Sequence, residues 1–99
     1  MIDFTLITGF EWDDGNCRKN DKHGVSQAEA EQVFLSEPII LTPDTSHSGI
    51  EQRYRALGQT SSERQLTVVF TLRCNETLIR VISARDMHRK ERTLYEQET

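Results

Sequence analysis

Alternation of apolar and polar residues near the C-terminus constrains the fold more than any other feature of the chain. Apolar side chains occupy every second position of residues 66–72, which predicts a strand with one buried and one exposed face. The tetrapeptide Cys74–Thr77 predicts a turn, and Leu78–Ser83 predicts a strand that pairs back on the first. The C-terminal half is therefore expected to contain an antiparallel hairpin.

A basic helix is predicted directly after this hairpin. Its basic side chains are spaced i, i+3, i+4 and i+7, so they fall within one arc of a helical wheel: Arg85, His88, Arg89 and Arg92. Tyr95 borders the same arc. Guanidinium groups, an imidazole and a phenol on one face can hold a phosphodiester and move protons around it.

Two helices are predicted on the N-terminal side of the sheet. The first is a short polar helix that Asp13 or Asp14 caps and Gly24 ends in a left-handed conformation. The second opens with a capping box, in which Ser26 is the N-cap and Glu29 is the N3 residue.

Further strands are predicted in the segment that leads to Trp12, over residues 39–42, and over 52–57, where Gly58 forms the next turn. The order of elements indicates an α+β domain with two N-terminal helices, an antiparallel meander of three to four strands and a C-terminal helix. With 99 residues and 35% hydrophobic content, the chain 1–99 is expected to form one domain around one core.

Charge is unevenly distributed along the chain, whose net charge is −4. Residues 1–49 contain three Lys or Arg against nine Asp or Glu, whereas residues 50–99 contain nine against seven. The positive field is therefore local to the last strands and helix, where it can steer an anionic ligand. The acidic half can equally meet a basic partner protein.

Several classes of protein are not indicated by the sequence. The apolar runs are far shorter than the ~20 residues that span a bilayer, so a cytoplasmic protein without membrane contact is expected. Cys17 and Cys74 lack the spacing of a metal site or a disulfide framework. Without a phosphate-binding loop or a metal-ligand motif, no cofactor and no metal are expected.

Several blocks of sequence together resemble one protein family. The blocks are Phe10-Glu-Trp-Asp13, Asp21-Lys-His-Gly-Val-Ser26, Glu31-Gln-Val-Phe34, Pro43-Asp44 with His47-Ser48, Arg53-Tyr54 with Gly58, and Ile79 to Arg85 with Arg89, Glu91 and Tyr95. In this order they cover residues 9–96 and resemble the BrnT family of toxins from bacterial type II toxin–antitoxin modules. The resemblance implies a fold similar to the RelE ribonucleases, an RNA-cleaving growth inhibitor, and neutralisation by a BrnA antitoxin of ribbon-helix-helix type.

The residues themselves suggest how such a protein can cleave RNA without a metal. The 2′-hydroxyl of the substrate can act as nucleophile, so the protein must supply a base, an acid and cations for the phosphoryl oxygens. His88 is the first candidate for the base or acid and Tyr95 the second, while Arg80 and Arg85 are the candidate catalytic cations. RNA-binding roles are predicted for Arg53, Arg89 and Arg92.

Each candidate also has a purely structural interpretation. The helix arginines can form a solvated face that pairs with nearby carboxylates, and Arg53 and Arg80 can simply lie on an exposed sheet face. The alternative function is a non-catalytic binding subunit that acts as co-repressor with a DNA-binding antitoxin. In both cases we expect a 2:2 complex with the antitoxin, which would contact operator DNA.

Overall fold

The computed structural model describes residues 4–12, 24–44 and 52–98. These residues form an α+β domain in which two helices lie on opposite faces of one mixed sheet. The elements in chain order are β1 (Gly9–Glu11), α1 (Gln27–Val33), β2 (Ile40–Asp44), β3 (Arg53–Gln59), β4 (Gln65–Arg73), β5 (Leu78–Asp86) and α2 (Arg89–Gln97). A short 3₁₀ turn at Phe4–Leu6 precedes β1.

The sheet contains five strands in the order β1-β5-β4-β3-β2 within the described ranges. Strands β2 to β5 form the predicted antiparallel meander. Strand β1 adds to it by pairing with β5 in parallel, with Phe10 opposite Ile79. The predicted meander of three to four antiparallel strands is therefore confirmed, but the parallel pairing of β1 was not predicted, because a partner so distant in sequence leaves no local signal.

The predicted β4–β5 hairpin is confirmed, and its turn has an unusual backbone. Cys74, Asn75 and Glu76 have φ angles of 54°, 56° and 66°, in the left-handed region. The hydroxyl of Thr77 donates to the carbonyl of Cys74 and closes the turn. β5 also runs further than predicted, through Asp86.

One of the two predicted N-terminal helices lies within the described residues. This helix is α1, and it has the predicted capping box: Ser26 Oγ accepts from the Glu29 N–H, and the Glu29 carboxylate accepts from the Ser26 N–H. The Ser26 N–H and the Arg64 guanidinium lower the pKa of Glu29. The other helix was predicted over residues 13–23, which lie outside the described residues.

The main core lies between α1 and one face of the sheet. Its fully buried side chains include Ala30 and Val33 of α1, and Phe70 of β4 contacts Phe34 edge-on at a centroid distance of 5.0 Å. Gly58 lies inside β3, and not in a turn as predicted, because α1 passes directly over it. A Cβ at this glycine would lie 2.9 Å from the Val33 carbonyl oxygen.

Arg64 joins the end of β5 to the start of α1. Its Nε donates to Asp86 at 2.8 Å, and its Nη1 donates to the Gly24 carbonyl at 2.7 Å and to Glu29 at 3.2 Å. The bond to Asp86 contributes most to raising the pKa of this guanidinium, so it stays charged. These hydrogen bonds of Arg64 fix the direction in which the chain leaves β5 toward α2.

Helix α2 packs on the opposite face of the sheet through a second apolar cluster. Tyr95, Met87 and Leu57 are buried there beside Ile40. None of the helices in the described ranges combines the length and apolar character needed to cross a bilayer.

Candidate functional site

The sheet face opposite α1 carries basic side chains from two strands. Arg80 of β5 pairs with Thr71 of β4, and Arg85 pairs with Thr67. Because the two threonines are four positions apart on one strand, both arginines point to the same side. We call this surface the arginine face; its members are Arg53, Arg55, Arg80 and Arg85.

A β-bulge in β5 places both of its arginines on this face. Residues five apart on a regular strand point to opposite sides. The register with β4 passes from Ser83 directly to Val81, so Ile82 is the extra residue of the bulge. Arg80 and Arg85 therefore share a face, at a separation of roughly 15 Å along the strand.

Glu91 of α2 reaches back over the arginine face and binds Arg85 with both carboxylate oxygens. Its Oε1 lies 2.7 Å from Arg85 Nη1, and its Oε2 lies 3.0 Å from Arg85 Nη2. The same carboxylate accepts from Thr67 Oγ1 at 3.0 Å and from the His88 N–H at 2.8 Å. Glu91 thus joins α2 to the centre of the sheet.

The environment of Glu91 keeps its carboxylate charged. Burial alone would raise its pKa, since the side chain is only 12% exposed. The hydrogen bonds from Arg85, the His88 N–H and Thr67 outweigh burial and lower the pKa of Glu91 to about 2.

Arg55 contacts the same carboxylate more loosely. Its Nη1 lies 3.8 Å from Glu91 Oε2, and its Nη2 lies 3.7 Å from Oδ1 of Asp44. Both distances exceed those of hydrogen bonds. The Nε of Arg55 is buried and has no hydrogen-bond partner among the described residues.

Arg80 lies toward the other end of β5 and has its own carboxylate. The parallel pairing of β1 with β5 sets Glu11 opposite Arg80, and the two side chains are 3.5 Å apart. The Arg80 side chain is 31% exposed, so it is accessible beside this ion pair.

The predicted basic helix begins later than its sequence suggested. Arg85 lies on β5, and α2 starts at Arg89 with His88 as its N-cap. The prediction that Arg85 belongs to a helical arc was therefore wrong, because β4 extends far enough to pair with it. The side chain of His88 is 71% exposed, and its Nδ1 lies 3.9 Å from Glu91 Oε1.

The remaining predicted site residues are separated by the fold. Arg89 and Arg92 are exposed on α2, while Arg53 is half-buried on the arginine face beside Asp44. Tyr95 is fully buried and donates its hydroxyl hydrogen to the Pro38 carbonyl at 2.7 Å. Its predicted position on the exposed basic arc was wrong, because the buried side of α2 faces Leu57.

Sequence reasoning did not select Arg55 or Glu91 as site residues. Arg55 could have been found from its two-residue spacing to Arg53, which places both on one strand face. The contact of Glu91 with Arg85 depends on the exact start of α2, for which the sequence gives no precise signal.

The arginine face can bind an extended polyanion. Guanidiniums on β3 and β5, the two strands that flank β4, are spread over a surface wide enough for consecutive phosphates. Fixed cations also stabilise charge that develops on phosphoryl oxygens. In the described ranges, no group of three or more His, Cys, Asp or Glu side chains is placed to hold a metal ion.

Comparison with solved structures shows that this fold is a known one. The chain is similar to the crystal structure of the Brucella abortus ribonuclease toxin BrnT, with a TM-score of 0.62, 23% identity, and coverage of 83% of this chain and 99% of that chain. A comparison with curated proteins gave no match.

The family follows from a second comparison. A family model described as the ribonuclease toxin BrnT of type II toxin–antitoxin systems matches residues 12–91. The chain therefore belongs to the BrnT family, as its sequence blocks predicted. Membership of a type II toxin family implies an antitoxin as partner.

Proposed function

We propose that this protein is a toxin that cleaves RNA without a metal ion, in the cytoplasm, and thereby inhibits translation and growth. The observation that carries the proposal is the arginine face, where Arg80 and Arg85 point to one side of the sheet. The RNA 2′-hydroxyl gives up its proton to a base and attacks the adjacent phosphorus, and the bond to the 5′-oxygen breaks. The leaving 5′-oxygen takes up a proton from an acid, so that a cyclic phosphate and a 5′-hydroxyl are formed. Arg85, beside His88, and Arg80, further along β5, are each proposed to stabilise negative charge on phosphoryl oxygens of the bound RNA.

His88 is the proposed general base or general acid of this reaction. Its imidazole is exposed beside the Arg85–Glu91 ion pair, so it can reach a phosphodiester bound there. The hydroxyl of Tyr95 is occupied by the Pro38 carbonyl, so we assign this tyrosine to packing. Arg53 on the sheet and Arg89 and Arg92 on α2 are proposed to bind neighbouring phosphates of the RNA.

The proposed antitoxin is a BrnA-like protein of ribbon-helix-helix type. Its strands would form the antitoxin dimer, so two toxins would bind one dimer in a 2:2 complex that also contacts operator DNA. In the described sheet β1 and β2 are the edge strands, and these edges together with the arginine face are surfaces that such a partner can cover.

A second candidate function is that of a non-catalytic co-repressor subunit. The ion pairs of Arg85 with Glu91 and of Arg80 with Glu11 favour it, because arginines held by carboxylates also occur as structural networks. This alternative predicts binding to the antitoxin without breakdown of RNA.

Induced expression without an antitoxin separates the two functions. The ribonuclease proposal predicts growth arrest with loss of intact RNA in cells, and cleavage of purified RNA in buffer that contains EDTA. Normal colony counts and intact RNA after induction would leave only the co-repressor function. Cleavage that stops in EDTA and returns with added metal would contradict the metal-independent mechanism.

Mass and hydrogen exchange test the proposed complex. We expect the co-expressed complex to have 2:2 mass, to be inactive on RNA and to protect residues 78–95 from exchange. A 1:1 mass, or protection confined to residues 1–49, would contradict this arrangement and leave the ribonuclease proposal standing.

A further inference from the structure

Arg55 has hydrogen-bonding capacity that the described part of the protein does not use. It makes two ion pairs at 3.7 and 3.8 Å and no hydrogen bond to a described residue, although its Nε is buried. A buried guanidinium N–H without an acceptor costs free energy. The Arg55 side chain as a whole is 36% exposed, so a ligand with several acceptor oxygens can reach its donors other than the buried Nε.

Arg85 also presents unused donors. Glu91 occupies the end of the guanidinium formed by Nη1 and Nη2, and the Asp86 carbonyl accepts from Nη1 at 3.2 Å. The side of the guanidinium formed by Nε and Nη2 retains donors that no described residue accepts. Two parallel donors of this kind fit two oxygens of one phosphate.

A single oxygen of Glu91 lies between these two guanidiniums. Oε2 is 3.0 Å from Arg85 Nη2 and 3.8 Å from Arg55 Nη1. The carboxylate itself is fixed by Thr67 from the sheet and by the His88 N–H from the start of α2. It therefore holds two like charges close together on a surface that a polyanion can approach.

We propose that Glu91 is a positioning residue that holds Arg55 and Arg85 as a pair, and that this pair binds one phosphate of the RNA backbone. The proposal rests on the proposed function, because it takes RNA as the ligand. It adds Arg55 to the binding surface and gives Glu91 a role through its two partners, without contact to the reacting atoms.

Removal of the Glu91 charge changes RNA affinity in opposite directions for the two possible roles of this residue, positioning of the arginines and simple neutralisation of their charge. If Glu91 only neutralised the arginines, Glu91→Gln would remove a negative charge and strengthen RNA binding. If Glu91 positions them, the same variant weakens binding although the protein becomes more positive.

Binding is measured by fluorescence anisotropy with a 2′-O-methyl oligoribonucleotide, which lacks the nucleophile and cannot be cleaved. For Glu91→Gln we expect a dissociation constant raised about tenfold, the loss typical of one charged hydrogen bond. Glu98→Gln is the matched control, since it makes the same charge change at the exposed C-cap of the same helix. Equal or tighter binding by Glu91→Gln would overturn the proposal.

Arg55 provides a second test that does not depend on the stability of α2. Arg55→Gln should weaken binding. It should also make the negative slope of log K against log salt less steep by about 0.7, the value for one phosphate contact on a single strand. Arg55→Lys keeps the positive charge but lacks the paired N–H donors of a guanidinium. The affinity of this variant for the oligonucleotide should therefore fall between those of Arg55→Gln and the wild type. Lys90→Gln on the exposed side of α2 should leave the salt slope unchanged. An unchanged slope in Arg55→Gln would contradict the phosphate contact.

The outcomes separate this proposal from the ribonuclease proposal. Wild-type protein that cleaves RNA while Arg55→Gln and Glu91→Gln bind normally would overturn only the arginine pair. Wild-type protein that binds the oligonucleotide through this pair but leaves RNA intact would overturn only catalysis.

Discussion

Tyr95 and Pro38 are 57 positions apart, and the hydroxyl of the tyrosine donates to the carbonyl oxygen of the proline at 2.7 Å. The bond lies at the edge of the apolar cluster that Tyr95 forms with Leu57 and Met87. It ties α2 to the segment between α1 and β2. The position of Glu91 over the sheet therefore depends on an anchor one turn further along the helix.

Replacing Tyr95 by Phe should lower the free energy of unfolding by about 1 kcal/mol, because the Pro38 carbonyl loses its donor. RNA cleavage should stay within about twofold of the wild type, since packing of the ring is retained. Tyr54→Phe is the control: Tyr54 stacks on Phe70 at 5.5 Å, and its hydroxyl makes no hydrogen bond to a described residue. Urea unfolding gives the stability and initial rates give the activity. A large loss of activity at normal stability would return Tyr95 to the list of acid–base candidates.

Arg80→Ala and Arg85→Ala should each reduce the rate of RNA cleavage more than tenfold. A cation directed at a developing phosphoryl charge contributes about 2–4 kcal/mol to the transition state. Lys90→Ala removes an exposed charge of the same sign from α2 and should change the rate little. Single-turnover cleavage and thermal unfolding are measured for all three variants. If both arginine variants cleave RNA normally while remaining folded, the arginine face is only a solvated surface.

The depressed pKa of Glu91 predicts a pH-dependent contribution to stability. The folded-state pKa is about 2 and the ordinary value is 4.5, so the folded protein holds its charged form more strongly than the unfolded chain does. The stabilisation, on the order of 3 kcal/mol, is complete above about pH 5 and is lost as the pH falls toward 2.

Unfolding of wild type and Glu91→Gln at a series of pH values measures this contribution. The difference in stability should be constant from pH 5 to 7 and should shrink steadily below pH 4.5. Glu98→Gln, whose side chain is exposed, should show no such trend. A difference that is independent of pH down to 3 would show that the ion pair with Arg85 does not stabilise the folded state.

Gly58→Ala should destabilise the protein by about 1–3 kcal/mol, the usual cost of overpacking. A methyl group there meets the Ser36 hydroxyl, the Val33 carbonyl oxygen at 2.9 Å and Val33 Cγ1 at 3.0 Å. Gly9→Ala is a suitable control, because its nearest neighbour is Leu78 Cδ2 at an ordinary 3.7 Å. Equal stability of the two variants would contradict the close approach of α1 to β3.

Local signals in the sequence were sufficient for the elements they encode. The Ser26–Glu29 capping box and strand β4 concern residues within a few positions of one another, and both elements are confirmed. The exposed face predicted for β4 was wrong, because Thr67 and Thr71 are buried on that face, where they donate to Glu91 and to the Gln52 carbonyl. The parallel pairing of β1 depends on contacts across most of the chain, so the short segment Gly9–Glu11 alone could not predict it.

The candidate site was only partly accessible from the sequence for a similar reason. Charge and spacing selected Arg80 and Arg85, but the bulge at Ile82 that places them on one face is a property of strand register. The contact of Glu91 with Arg85 required β5 to continue where a helix was predicted. Pairing with β4 outweighed the helical pattern of these residues, as tertiary contacts often do.

The pairing of β1 with β5 has a consequence for how quickly the protein can fold. It joins residues 9–11 to residues 78–80, so the polypeptide between them must close into a long loop before the sheet is complete. Sheets with such distant contacts fold more slowly than helical domains of equal size. Strand β5 is the last of the five described strands to be synthesised, and it carries Arg80 and Arg85. During synthesis there is therefore a period in which most of the chain has been made but the arginine face has not yet formed.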